Sequence, residues 1–174
     1  MKYLVIVALS LFVSIQVMAQ KFPDLDASPA DIAMARSKDK SPLAKVVYSR
    51  PQKKGRVIFG GEVKYNEVWR IGANETTEIE FFRNVTLGNK KVLKGRYTLF
   101  CIPTEDKWTL ILNKNMFTWG SFTYRSENDV LRIDAPVQKS AEEVEALTMY
   151  FENNGNNRFV VMWDSSMVSL PISY

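Results

Sequence analysis

Thr77, Ile79 and Phe81 alternate with Glu78 and Glu80 without a break. Only a β-strand sends successive side chains to opposite faces, so this stretch has one buried face and one wet face. Related patterns recur between turn signals along most of the chain. Ala44 to Ser49 is an apolar run closed by Arg50-Pro51, and Arg56 to Phe59 lies between Lys54-Gly55 and Gly60-Gly61. Val68 to Ile71 sets Trp69 and Ile71 on one face against Val68 and Arg70. Val85 to Leu87 and Lys91 to Leu93 flank Gly88-Asn89, a pair suited to a tight hairpin. Arg96 to Ile102 and Trp108 to Asn113 flank a polar Pro103 to Asp106 turn and predict a longer hairpin. Val130 to Ala135, Arg158 to Trp163 and Met167 to Ile172 complete the series, the last two separated by a turn at Asp164-Ser165. About ten or eleven short strands at such spacing predict one antiparallel β-sandwich, with a closed β-barrel as the alternative.

One stretch fits two periods. Ser140-Ala141-Glu142-Glu143 reads as a capping box, and Val144, Leu147 and Phe151 fit a helix. Leu147, Met149 and Phe151 fit a strand equally well, and the β-rich neighbours favour strand for Ala146 to Glu152.

The chain divides into a leader at 1–19, a linker or short helical arm at 20–42, and the β domain at 43–174. Lys2, the apolar run Leu4 to Val13 and the small residues around Val17-Met18-Ala19 have the layout of a secretory signal peptide cut after Ala19. A membrane anchor competes with that reading, but the run falls short of the roughly 20 apolar residues that a span needs. An exported protein, periplasmic or secreted, with no stable span after cleavage, is the expectation. In the arm, Ser28-Pro29-Ala30-Asp31 resembles a helix start, with Ser as N-cap and Pro at the first helical position.

Absent residues narrow the chemistry. The sequence holds no histidine and one cysteine. Ser-His-Asp and Cys-His catalysis and histidine-ligated zinc are therefore excluded. Cys101 cannot form a disulfide within the chain, and it reads as a buried small hydrophobe. Ser126-Glu127-Asn128-Asp129 lacks the ordering of a calcium loop, so no metal and no cofactor is assigned. Lys and Arg are scattered, the longest runs being the pairs Lys53-Lys54 and Lys90-Lys91. That spread describes a solvated surface and not a nucleic-acid footprint.

The densest polar cluster combines Arg50, Arg56, Trp69, Arg70, Asn74 and Glu75, all in turns or beside them. Arginine offers a planar fork of donors suited to carboxylates and phosphates, so the cluster predicts a site for a small polar or anionic ligand. The competing reading pairs these arginines with Glu62, Glu75 or Glu78 to hold loops. A carboxylate-dependent hydrolase of envelope glycans is the alternative function, with Glu62, Glu67, Glu75, Asp106 and Asp129 as candidates. Nothing in their spacing selects a pair, so the sequence leans away from catalysis. A structural envelope protein without ligand is a further alternative. The loop Asn115 to Ser126 carries Phe117, Trp119, Phe122 and Tyr124, which read as core plugs ahead of a stacking surface.

Several segments resemble, in order, the bacterial domain-of-unknown-function family 2911. They are Tyr48-Ser49-Arg50-Pro51, Gly55-Arg56-Val57-Ile58-Phe59-Gly60, Val68-Trp69-Arg70-Ile71-Gly72-Ala73-Asn74-Glu75, Gly95-Arg96-Tyr97-Thr98-Leu99-Phe100 and Trp108 to Lys114. Trp119-Gly120, Asp129-Val130-Leu131-Arg132, Leu147-Thr148, Trp163 and Pro171-Ile172 extend the similarity over about residues 43–172. The resemblance implies export and a compact β domain. It carries no activity and no site residues.

Overall fold

The computed structural model describes residues 22–174, so the leader read over 1–19 lies outside the described residues. Among them, ten strands form two antiparallel sheets. The larger sheet contains β1 (Ala30–Arg36), β2 (Pro42–Ser49), β3 (Glu78–Phe81), β6 (Gly95–Pro103), β7 (Lys107–Asn113) and β8 (Asp129–Pro136), in the order β1-β2-β3-β6-β7-β8. The smaller contains β4 (Val85–Leu87), β5 (Lys90–Val92), β9 (Gln138–Glu152) and β10 (Arg158–Ser173), in the order β5-β4-β10-β9. The sandwich expected from the alternation is what the chain forms. The closed barrel is not, since each sheet keeps two edge strands.

The period-two pattern fixes which residues meet between the sheets. Ile79 and Phe81 of β3 are buried while Glu78 and Glu80 face outward, where Lys45 pairs with Glu80 at 2.9 Å. Leu99 and Cys101 of β6, Leu110 and Leu112 of β7, and Phe159, Val161 and Val168 of β10 share one hydrophobic core. Burying each large apolar side chain contributes about 1.5–3 kcal/mol. Tyr48 joins the layers: its hydroxyl accepts the Met149 N–H at 3.0 Å.

Four local expectations need correction. The arm over residues 20–42 is not helical where it is described, because Ala30–Arg36 forms β1 and pairs antiparallel with β2 from Ala30↔Ser49 to Arg36↔Pro42. An isolated seven-residue helix is marginal in water, whereas β2 presents an open ladder of backbone groups along the same length. Arg56 to Phe59 is not a strand but part of a tight loop, closed by Val63 N–H to Ile58 O at 2.9 Å. A Cβ at Gly61 would collide with the Val57 carbonyl oxygen, so that loop closes only on glycine. Val68 to Ile71 keeps a single bridge, Trp69↔Cys101, because Ile71 turns to φ 49°. Asp164-Ser165 is an irregularity inside β10, with Asp164 at φ 54°. The strand favoured over a helix for Ala146 to Glu152 is present as part of β9, which begins earlier, at Gln138.

Candidate functional site

The chain between β2 and β3 builds the site. Beyond the end of β3, Trp69 takes over pairing with β6 through two 2.8 Å bonds to Cys101. Ile71, fully buried, then adopts a left-handed conformation. A β-branched residue at positive φ is a backbone outlier, costing roughly 1–3 kcal/mol. Thr77 holds it there, its hydroxyl donating to Ile71 O at 2.6 Å. Gly72 packs against the end of β2, where a Cβ would lie 3.2 Å from Thr77 Oγ1 and 3.4 Å from Ser49 O. Asn74 is a second left-handed residue, and its side-chain amide donates to Asp26 at 3.1 Å.

This geometry leaves a cleft of about 270 Å³ lined by Ser28, Pro51, Arg56, Glu62, Val63, Trp69, Arg70, Gly72, Ala73 and Trp163. Its aromatic wall is a cluster. Trp69 stacks on Trp163 with centroids 5.9 Å apart and an interplanar angle of 18°, and meets Trp108 edge-on at 5.9 Å. Phe59 closes the cluster at 4.9 Å from Trp108. Trp163 is held in place by its indole N–H, which donates to Glu145 O at 3.1 Å.

The three arginines differ sharply. Arg50 bridges β1, β2 and β9, donating to Leu147 O at 3.1 Å, Thr148 Oγ1 at 2.9 Å and Asp31 Oδ2 at 3.2 Å. Arg56 donates to Lys53 O at 3.0 Å, Gln52 O at 2.6 Å and Glu62 Oε2 at 2.7 Å. Arg70 stands apart: its Nε is buried and makes no hydrogen bond among the described residues. Burial alone pushes the Arg70 guanidinium below its usual range, with no charged or hydrogen-bonding neighbour acting on it. The group still remains cationic at any physiological pH.

Of the six residues singled out in the sequence, Arg56, Trp69 and Arg70 line the cleft. Arg50 is tied down as a loop anchor. Asn74 lies next to the lining residue Ala73 and braces the N-terminal segment. Glu75 is exposed and bridges Trp119 of the neighbouring loop. Sequence reasoning did not place Trp163 or Ser28 at this site. Neither gives a local signal, because each arrives through the sandwich topology, Trp163 on β10 and Ser28 just ahead of β1.

Other candidate groups lie elsewhere. Asp129 accepts from Asn113, Tyr124 and Arg132, all at 2.7 Å, and so pins the loop before β8. Asp106 is bonded to Thr104 at 2.6 Å. Glu62 is the one carboxylate lining the cleft among the described residues, whereas glycoside hydrolysis uses a facing pair. In the aromatic loop, Tyr124 plugs against Phe100 at 5.1 Å, while Phe117, Trp119 and Phe122 are exposed. Among the described residues, no three acidic or cysteine side chains gather as a metal cluster, and no helix is long and apolar enough to cross a membrane.

Fold and site together define a small all-β sandwich with a tryptophan-walled polar cleft built on the loops between β2 and β3. The chain belongs to the family described as Protein of unknown function (DUF2911), which it matches over residues 28–172, from Ser28 at the cleft to Ile172 in β10. No curated protein and no solved structure matches it.

Proposed function

We propose that this protein is an exported binding module that captures a small polar anion in the cleft at Trp69 and Arg70. Arg70 is the observation that carries the reading. A buried N–H without a partner costs about 1–3 kcal/mol, and such groups are rare in native structures. The strained Ile71 next to it adds to that cost, and backbone strain of this kind gathers at ligand clamps. A carboxylate or phosphate oxygen on the terminal nitrogens of Arg70, which have no protein partner among the described residues and are not sealed off as Nε is, would neutralise the half-buried charge beside that orphaned donor. Export rests on the leader pattern of Lys2, the Leu4 to Val13 run and Ala19. It predicts a mature protein beginning at Gln20, recovered outside the cytoplasm.

A thermal-shift screen against carboxylates, phosphates, acidic sugars and neutral sugars tests the binding reading. At a ligand concentration about 100 times Kd, stabilisation reaches about 2.7 kcal/mol. An anion should raise the melting temperature of the wild type and leave Arg70→Met unmoved. If no anion stabilises the wild type more than that variant, the proposal fails.

A further inference from the structure

We infer that the ligand is a monocarboxylate carried on one compact ring, in preference to a phosphate or a dicarboxylate. This deepens the binding reading above and rests on it.

Charge comes first. Three charged side chains line the cleft: Arg56, Glu62 and Arg70. Arg56 has committed Nε and both terminal nitrogens, to two backbone carbonyls and to Glu62. The Arg56–Glu62 pair is therefore neutral as a unit, and one uncompensated cation remains. A single carboxylate balances it. A second negative charge would find no free guanidinium, and it would meet the Glu62 carboxylate on the same cleft lining.

Shape and size select the body of the ligand. Trp69, partly exposed and backed by the buried Trp163, gives the cleft its aromatic surface, which suits a flat or ring-shaped apolar face. The volume of about 270 Å³ falls just under the roughly 300–1,000 Å³ typical of sites for larger organic ligands. One ring with its carboxylate fills it. Lys54 lies outside, on an adjoining groove that shares Ser28 and Arg56 with the cleft. Only a ligand longer than the cleft reaches Lys54.

The test is calorimetric titration of the mature chain with benzoate, glucuronate, acetate, succinate and inorganic phosphate at fixed ionic strength. Benzoate or glucuronate should bind at least about tenfold tighter than acetate, phosphate or succinate, a factor within the range of one charge-assisted hydrogen bond. Arg70→Met should abolish binding. Glu62→Gln removes the charge that neutralises Arg56 and should shift the preference toward phosphate by about tenfold, a change that a merely structural role for Glu62 does not produce. Lys54→Gln should leave benzoate binding unchanged. Tighter binding of phosphate or succinate by the wild type, lost in Lys54→Gln, overturns the monocarboxylate assignment and leaves the anion-binding reading standing. Absence of binding by every anion overturns both.

Discussion

Replacing Arg70 with methionine should make the ligand-free protein more stable, the reverse of what truncating a structural arginine does. Methionine keeps the length and packing of the aliphatic stem. It removes a buried Nε–H that has no partner and a charge whose only perturbation is burial. Relief of one unsatisfied buried donor is worth about 1–3 kcal/mol. The rest of the guanidinium loses some hydration, which leaves a net gain of about 1 kcal/mol. For a chain of this size that raises the melting temperature by roughly 2–4 °C. Urea unfolding followed by circular dichroism reads the same gain as a higher midpoint at unchanged slope. Under saturating benzoate the order should invert, because only the wild type is then stabilised. A ligand-free Arg70→Met protein less stable than wild type by about 1 kcal/mol or more would show that Arg70 holds the fold together, and the argument from its isolation would be refuted.

Tyr48→Phe removes the acceptor of the Met149 N–H between the two sheets and should cost about 1–3 kcal/mol of unfolding free energy in urea titration. A loss below a few tenths would mean that this bond does not couple the layers. Gly61→Ala forces a Cβ against the Val57 carbonyl, so the loop bearing Arg56 and Glu62 must open. Benzoate affinity should fall severalfold, by calorimetry, with stability changing by about 1–3 kcal/mol. The pH profile has two falling limbs. Burial raises the phenols of Tyr48, Tyr97, Tyr124 and Tyr150. Their stabilising contribution is complete below the unfolded value of about 10 and is lost as pH rises through the folded values. Hydrogen bonds from Thr104, Lys107 and Lys45 lower Asp106, Asp134 and Glu80 respectively. Their contribution is present above about pH 4 and is lost as pH falls through the folded values. Urea midpoints between pH 2 and 11 should form a plateau with both limbs, and a midpoint still rising above pH 10 would contradict the tyrosine assignment.

What could be read from the chain alone was whatever has a short period. Ile79 and Phe81 against Glu78 and Glu80, and the Gly88-Asn89 turn joining Leu87↔Lys90, are set by neighbours two or three positions away. β1 was not legible, because seven alanine-rich residues have no strong preference of their own and take strand form from the open edge of β2. The interruption after Trp69 was hidden for another reason: nothing local marks Ile71 as left-handed, and Thr77 and Gly72 hold it there through packing. At the site, the residue types were visible but their partners were not. Arg50 and Arg70 look alike in sequence. Arg50 is satisfied by Leu147 and Thr148 of the other sheet, Arg56 by its own loop, and Arg70 by nothing among the described residues. Trp163, on the far side of the chain, completes the tryptophan stack only once the two sheets have met.

The most direct measurement is a titration of the arginine Nε–H resonances in a ¹⁵N-labelled sample with benzoate, with the Arg70 signal assigned by its disappearance in Arg70→Lys. The Arg70 signal should move and saturate with added benzoate, while those of Arg50 and Arg56, already bonded to protein oxygens, stay in place. An Arg70 signal that stays fixed while benzoate binds would contradict Arg70 as the residue that captures the ligand.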